Sequence, residues 1–264
     1  MDFLTILLSV LIGLVAPVGF VSDRLLENQI RQQFDSVEDL QVRVDNRPTY
    51  QLLQGRVDRI RIAGSGLSIE PLRIATLEVE TDPIAVDLGD ELELKEPLQA
   101  GVRIVLTEAD IEQALRSPRI RNLLNDLNLG ELGGAEYQIR NPRLQLLAGD
   151  RIRLRAILQQ EDSSEQLAID LRSGIRVVAG RQLQFDSPTA TLNGESIPDR
   201  LVEGFASGIS QRFDLQNFEE AGLTARILQL NISEERIELA AFVRIEPESD
   251  LLGQTAIEPL TAAR

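Results

Sequence analysis

Most of the chain after about residue 42 alternates between apolar and charged side chains with a period of two. In RIRLRAIL, Ile152 and Leu154 alternate with arginines, and in LRIATLEVE, Leu77 and Val79 alternate with glutamates. This alternation is typical of antiparallel strands with one face on a core and the other in water. Similar runs follow at residues 167–171, 175–178, 183–185, 228–232 and 237–245, with turns containing Gly, Asn or Asp between strands.

Two short amphipathic helices interrupt the strand pattern in LTEADIEQALRSPRIRNLLNDL, residues 106–127. Thr107 and Asp110 form a T-x-x-D start signal for the first helix. Ser117 and Pro118 then start the second helix, with Ser as N-cap and Pro at the first helical position. The apolar stripe of the first helix is Ile111, Ala114 and Leu115, and that of the second is Ile120, Leu123, Leu124 and Leu127.

A third amphipathic helix is predicted in SIPDRLVEGFASGISQRF, where Ser196 and Asp199 give another start signal. A sheet that is apolar on one face has to cover that face, and amphipathic helices are the available cover. The sequence therefore predicts an α+β fold. The apolar stripe of this helix is Leu201, Val202, Phe205, Ile209 and Phe213.

Residues 3–21 at the N-terminus carry no charge. As a helix they would extend about 28 Å, close to the thickness of a bilayer core. Residues 1–22 are therefore predicted to form an uncleaved membrane anchor. A cleaved signal peptide fits less well, because Asp2 replaces a basic start and no A-x-A site follows. A buried core helix is the other alternative.

The residues after this segment predict a short helix, but they do not decide on which side of the membrane the domain lies. Leu26, Ile30 and Phe34 recur four apart, which favours a one-sided helix that packs on the domain. Arg24 and Arg31 follow the apolar segment, which favours a cytoplasmic domain by the positive-inside tendency. A long domain can be translocated regardless of such charges.

Composition changes the range of functions more than the range of folds. The formal net charge of −15 weighs against nucleic acid as a partner, because that affinity depends on neutralising phosphates. The chain has no Cys and no His, which removes thiol nucleophiles, imidazole bases and the usual zinc ligands. No carboxylate spacing matches an EF-hand. We therefore expect no enzyme activity, cofactor or metal.

The stretch VRIVLTEADIEQALRSPRIRNLL, residues 102–124, resembles the LmeA-like phospholipid-binding family of bacterial envelope proteins. GRVDRIRIAGSGL at 55–67 and FDSPTATLNGESIP at 185–198 are also similar, and the likeness extends more weakly over residues 23–246. The resemblance implies a tubular lipid-binding-like fold, in which a strongly curved antiparallel sheet wraps around amphipathic helices. It also implies phospholipid binding near the envelope, without catalytic residues. An uncleaved anchor differs from family members that are exported with a removable signal.

The predicted binding site is an aliphatic groove between the sheet and the apolar stripes of the three helices. The same stripes would equally form an ordinary filled core, since both surfaces are apolar. Arg116, Arg119 and Arg121 surround the break between the first two helices, and arginine matches phosphate geometry. We predict that they contact a lipid headgroup, with solvated arginines paired to carboxylates as the alternative.

The predicted organisation has an anchor at 1–22, one lipid-binding α+β domain at 23–246, and a loose tail at 247–264. The predicted function is non-enzymatic phospholipid binding or carriage at a membrane of the bacterial cell envelope. The alternative is a membrane-anchored scaffold with a filled core, which acts through its acidic surface on a protein partner. An envelope hydrolase ranks third.

Overall fold

A computed structural model of the chain describes residues 27–28, 30–88, 92–125, 137–160, 166–212 and 214–249. The predicted anchor at 1–22 and most of the predicted tail at 247–264 lie outside the described residues. None of the helices in the described ranges combines the length and apolarity that a membrane-spanning helix requires.

Antiparallel strands dominate the described residues. They are β1 (Ser36–Asp45), β2 (Arg56–Val57), β3 (Arg59–Ile69), β4 (Leu72–Thr81), β5 (Ile84–Leu88), β6 (Leu92–Leu94), β7 (Leu98–Thr107), β8 (Tyr137–Leu147), β9 (Arg151–Gln160), β10 (Gln166–Val178), β11 (Gln182–Leu192), β12 (Glu195–Ser196), β13 (Leu223–Ile232) and β14 (Arg236–Ile245). The alternating runs of the sequence all lie within these strands, and the runs at 167–171 and 175–178 belong to the same strand.

The strands form three sheets. The six-stranded sheet has the order β1-β3-β4-β7-β14-β13, the five-stranded sheet has the order β12-β11-β10-β9-β8, and a three-stranded sheet has the order β2-β5-β6. The first two sheets meet where β13 passes the turns of the second. There the Asp150 carboxylate accepts a hydrogen bond from the backbone N–H of Ile232 at 2.6 Å.

The principal core lies on one face of the six-stranded sheet. Its largest fully buried side chains include Ile60, Leu77 and Leu98. The three-stranded sheet contributes to the same core, and so do Ile30 and Phe34, which are 1% and 7% exposed. Residues 27–28 and 30–31 are helical, and Ile30 packs on the sheet, whereas Phe34 lies in the bend before β1. Among the described residues only the first part of the predicted short helix is therefore helical.

Three helices and two short 3-10 segments complete the described fold. They are α1 (Glu108–Leu115), α2 (Pro118–Asn125), α3 (Asp199–Arg212), and 3-10 helices at Thr49–Gln54 and Leu215–Phe218. The predicted start of α1 is confirmed, because Thr107 and Asp110 form a capping box. The start of α2 is also confirmed at Pro118, with the Ser117 hydroxyl accepting a hydrogen bond from the Ile120 N–H at 3.2 Å.

The predicted antiparallel sheets are confirmed, but the prediction of a strongly curved sheet wrapped around the amphipathic helices was wrong. The fold consists mostly of antiparallel sheets with few short helices, and no sheet is strongly curled. The physical reason is length. At eight residues each, α1 and α2 are about 12 Å long. The ten-residue β9 extends about 33 Å, so neither helix can serve as the axis of a wrapped sheet.

Candidate functional site

The five-stranded sheet has one face of aliphatic side chains, which we call the aliphatic face. The register places Leu144, Leu154, Leu171 and Ala190 directly opposite one another across β8, β9, β10 and β11. Because side chains alternate between the two faces of a strand, their second neighbours share this face. The further members on the two central strands are Ile152, Ala156, Leu158, Leu167, Ile169, Ile175 and Val177.

Helix α3 covers the β11 side of the aliphatic face. Val202 is 3% exposed and forms a small apolar cluster with Leu171 and Ala190. Leu154 and Ile197 pack against this cluster and are partly buried. The contact fixes α3 on the same side of the sheet as the aliphatic row.

Helices α1 and α2 pack against the opposite end of the sheet, at β8. The Glu108 carboxylate accepts a hydrogen bond from the backbone N–H of Leu146 at 2.7 Å, which joins the start of α1 to this strand. Leu146 is 1% exposed, and Ala114 on α1 is 6% exposed. The two central strands β9 and β10 therefore lie between α3 on one side and the α1–α2 pair on the other.

The two large sheets differ in how completely their apolar faces are packed. Among the described residues, the cluster on the six-stranded sheet contains 23 buried hydrophobic residues and that on the five-stranded sheet contains three, with Leu146, Ala156 and Leu158 buried outside the cluster. Ile152, Ile169, Ile175 and Val177 on the central strands remain partly exposed. The aliphatic face consequently offers apolar surface to a guest molecule, and the core of the six-stranded sheet does not.

The stripe residues proposed from the sequence occupy two separate places. Those on α1 and α2 lie at the β8 end, and those on α3 lie at the β11 end, so the three helices do not face one another across a single groove. Ala114 is buried, whereas Ile111, Leu115, Ile120, Leu201 and Ile209 are partly buried. The side chains of Leu123 and Leu124 on α2 and of Phe205 on α3 are not among those that the structure describes. Leu127 and Phe213 lie outside the described residues.

The three arginines at the helix break are all exposed. The Arg116 guanidinium pairs with the Glu112 carboxylate one helical turn earlier, at 3.0 Å. Arg119 donates a hydrogen bond to the backbone carbonyl of Glu70 at 3.4 Å. Arg116 therefore already has a carboxylate partner, as the alternative interpretation expected, and Arg119 and Arg121 lie on the exposed side of α2.

Sequence reasoning missed the opposite face of the five-stranded sheet, which we call the basic face. The register gathers seven arginines there from three strands, and the only acidic side chains on this face within the described residues are Asp170 and Asp186. The sequence does show arginine at alternate positions of RIRLR, but within one strand this pattern indicates only a face in contact with solvent. The arginines are Arg140, Arg143, Arg151, Arg153, Arg155, Arg172 and Arg176.

Asp170 lies among these arginines. A hydrogen bond from Arg153, together with the charges of Arg153, Arg172 and Arg155, holds the pKa of the Asp170 carboxyl below its usual value although burial opposes the shift. Arg153 donates to this carboxylate through Nε at 3.0 Å. The carboxylate is therefore ionised at neutral pH and offsets part of the local positive charge.

An open depression of about 470 Å³ lies on the basic face. Arg153 and Arg155 form part of its lining together with the apolar side chains of Ile157 and Ala168. Asn193, in the turn after β11, contributes a polar side chain. The depression thus combines guanidinium groups with a small apolar floor.

The described residues contain no group of three or more acidic side chains placed to hold a metal ion. The geometry of the two faces instead provides apolar surface on one side and cationic surface on the other. This chemistry suits binding of an amphiphile.

Comparison with known families matches the chain, over residues 17–242, to the family described as LmeA-like phospholipid-binding. The match covers most of the six-stranded sheet and all of the five-stranded sheet. Neither a curated protein nor a solved structure matches the chain.

Proposed function

Because the chain belongs to the LmeA-like phospholipid-binding family, we propose that it binds or carries phospholipid without covalent chemistry, with the acyl chains against the aliphatic face. The observation that carries this proposal is the partial exposure of Ile152, Ile169, Ile175 and Val177 between two helical covers. The family supports phospholipid as the ligand, and the packing of the five-stranded sheet supports this face as the place of contact.

The aliphatic face has the shape that an extended acyl chain requires. Apolar side chains recur along β10 from Leu167 to Val177, a distance of about 33 Å. Ser173 is the one polar side chain among them; it is 3% exposed, and its hydroxyl donates to the backbone carbonyl of Asp186. Each methylene buried against such a surface contributes about 0.8 kcal/mol. The lining is mainly Leu, Ile, Val and Ala, which present no polar atoms that an acyl chain would leave without a hydrogen-bond partner.

The helices at either end of the sheet provide the sides of the site. We place the α1–α2 pair on one side of the acyl chain and α3 on the other. The break at Ser117 and Pro118 divides the first cover into two short segments. Short segments on few buried contacts open at low free-energy cost, so these covers are suited to admit a guest.

The headgroup in this proposal lies near Arg116, Arg119 and Arg121. Arginine forms bidentate hydrogen bonds to phosphate oxygens. Replacing Arg119 and Arg121 by Gln should lower the affinity for anionic phospholipid. The thermal unfolding midpoint should change little, because both side chains are exposed. Equal affinity of this variant and the wild type would remove these residues from the site.

We propose that the chain works at a membrane of the bacterial cell envelope, held by its N-terminal apolar segment. The 19 uncharged residues at 3–21 support this placement, because such a run is long enough for a bilayer core. A membrane-anchored scaffold acting on a protein partner is the second candidate. The filled core of the six-stranded sheet favours it, since the apolar side chains of that cluster are buried against one another.

Lipid analysis of the purified full-length chain separates the two candidates. The chain is extracted in detergent, exchanged into a lipid-free detergent, and examined for bound phospholipid by native mass spectrometry. Co-purifying phospholipid supports the binding function, whereas a chain without lipid supports the scaffold.

Two neighbouring substitutions on β10 test the aliphatic face itself. Ile169→Gln places an amide on this face, and Ala168→Gln places the same group on the basic face, one residue away. We expect the first variant to lose bound phospholipid and the second to retain it, because only the first interrupts the apolar surface. Equal lipid content in the two variants would exclude the aliphatic face as the binding surface.

A further inference from the structure

The basic face concentrates positive charge in a chain whose formal net charge is −15. Its seven arginines outnumber the two aspartates on that face of the described sheet. The side chains point into solvent: those of Arg143, Arg172 and Arg176 are 59%, 53% and 59% exposed. Each of these guanidinium groups lies 3.6 to 3.9 Å from one carboxylate, so its charge is partly balanced and its exposed part is available to a partner.

The register of the basic face places arginines directly opposite arginines. Arg143 pairs in register with Arg155, and Arg153 pairs with Arg172. Like charges at directly opposite positions destabilise a sheet. Within the described part of the chain, Arg155 and Arg151 have no ion-pair partner within 4 Å. The neighbouring carboxylates reduce this repulsion between arginines only in part. An anionic partner would reduce it further.

The outer face of the six-stranded sheet shows that exposed arginine does not by itself produce such an excess. Arg43 pairs with Asp45 at 3.0 Å, and Arg59 pairs with Glu80 at 2.7 Å. Arg103 lies 3.1 Å from a carboxylate oxygen of Glu78. Each of these arginines has a carboxylate beside it. On the basic face Asp170 is shared between Arg153 and Arg172, and the pairs of Arg143 with Glu112 and of Arg176 with Asp186 are long, at 3.9 Å each, so the two sheets differ in charge balance.

We propose that the basic face docks the chain onto the surface of an anionic phospholipid bilayer. The sheet is not strongly curled, and β8 to β11 span about 15 Å, so the arginines present a broad surface to many headgroups at once. Neighbouring arginines lie within a Debye length of one another and act jointly on a charged surface. The depression lined by Arg153, Arg155 and Ile157 gives one headgroup a place within that surface.

This docking surface goes beyond the acyl-chain site, because it is the other face of the same sheet. Docking brings the five-stranded sheet to the headgroup layer, where it attracts anionic lipids electrostatically. The acyl-chain site depends on apolar burial and needs no charge. A variant can therefore lose docking to the bilayer and keep acyl-chain binding, or lose acyl-chain binding and keep docking.

The experiment uses fluorescence reporters on the full-length chain, which contains no native cysteine. Thr189→Cys is exposed on the basic face opposite Arg172, and Ala63→Cys is exposed on the outer face of the six-stranded sheet. Each is labelled with an environment-sensitive dye and mixed with vesicles of phosphatidylglycerol or of phosphatidylcholine. We expect the dye at Thr189→Cys to respond to phosphatidylglycerol only, with a response that weakens as salt rises, and the dye at Ala63→Cys to respond to neither.

A charge-matched pair of variants then tests the arginines. Arg151→Gln with Arg155→Gln removes two charges from the basic face, and Arg43→Gln with Arg61→Gln removes two from the other sheet. At about 1 kcal/mol for each basic residue near an anionic surface, the first double variant should bind phosphatidylglycerol vesicles about 30-fold more weakly. The second should bind like the unsubstituted chain.

Several results would overturn the docking proposal. They are equal affinity of the two double variants, an equal response of the Thr189→Cys dye to both kinds of vesicle, and a response to an acidic protein or nucleic acid in place of vesicles. Bound phospholipid measured in the same samples separates this proposal from the acyl-chain site. Docking without bound lipid contradicts only the acyl-chain site, and bound lipid without docking contradicts only the basic face.

Discussion

Replacing Asp110 by Ala should destabilise the junction between the six-stranded sheet and α1. Asp110 is 5% exposed, and its carboxylate accepts hydrogen bonds from the backbone N–H of Thr107 at 3.3 Å and from its hydroxyl at 2.5 Å. It also accepts one from the Arg73 guanidinium at 3.0 Å. Arg73 joins β4 to this helix start and contacts Glu38 on β1 at 2.7 Å. One carboxylate therefore links three elements.

The magnitude follows from these contacts. The Thr107 N-cap remains, because its hydroxyl accepts from the backbone N–H of residue 110. What the substitution removes at the cap is the pair of hydrogen bonds from Thr107 to the carboxylate, which together contribute about 1 kcal/mol. The hydrogen bond to Arg73 contributes about 1 kcal/mol more, reduced from its buried value because that side chain is 33% exposed. We therefore expect Asp110→Ala to lower the free energy of unfolding by about 2 kcal/mol. At about 2–4 °C for each kcal/mol in a chain of this size, the unfolding midpoint falls by about 4–8 °C.

Urea and thermal unfolding, followed by circular dichroism, measure this change. Asp110→Asn keeps an oxygen that accepts from Thr107 and loses the charge facing Arg73, so it should lose about half as much stability. Glu112→Ala is the control on the same helix. Its carboxylate forms a surface pair with Arg116, and we expect a loss below about 0.5 kcal/mol. An unfolding free energy of Asp110→Ala equal to that of Glu112→Ala would refute the reasoning.

Two further predictions concern a close backbone approach and an ionised side chain. Gly222 and Gly149 both have a positive φ, +78° and +77°, but a Cβ at Gly222 would lie 2.9 Å from the Cα of Ser249, whereas a Cβ at Gly149 would meet nothing within 4 Å. Measured by urea unfolding, the free energy of unfolding should fall by about 1 kcal/mol in Gly149→Ala, because alanine is strained at a positive φ. In Gly222→Ala it should fall by about 1–3 kcal/mol more, because the added Cβ also meets Ser249. Equal losses of unfolding free energy in the two variants would contradict the contact with Ser249. Because Arg153 lowers the pKa of the folded Asp170 carboxyl, its stabilising contribution is present above the unfolded value of 3.8 and is lost as pH falls through the lower folded value. The stability difference between the wild type and Asp170→Asn should narrow below pH 3.8, and a difference independent of pH would contradict the ion pair.

The starts of α1 and α2 were predictable from the sequence because they depend on a few neighbouring residues. The start of α3 was predicted less well, because the helix begins at Asp199 and Ser196 lies in β12. Thr107 and Asp110 are three apart, and their reciprocal hydrogen bonds form within one helical turn. Pro118 lacks the N–H that a first helical position leaves unpaired, so it marks the start of α2 without any tertiary contact. The burial of Ile30 was likewise identified from helical spacing, whereas Phe34 is buried from the bend that follows the helix.

The candidate binding surfaces were less predictable. The stripes of α1 and α3 were identified correctly as one-sided, but sequence spacing does not tell which strand each stripe meets. The structure places Ala114 near β8 and Val202 against β11, at opposite ends of one sheet. The groove between the sheet and the three helices therefore stays a prediction, and the structure adds that the three stripes lie at two ends of one sheet.

Alone, the sequence determined which side chains of each strand share a face, because the two-residue period is a property of the extended backbone. It fixed that Ile152 and Leu154 lie opposite to Arg153 and Arg155 on β9. Only the tertiary structure decided which strands are neighbours, since pairing joins residues far apart in the chain. That pairing set Leu154 beside Leu171 and gathered the arginines of three strands on the other side. It also divided the strands among three sheets, which left one apolar face filled and the other partly open.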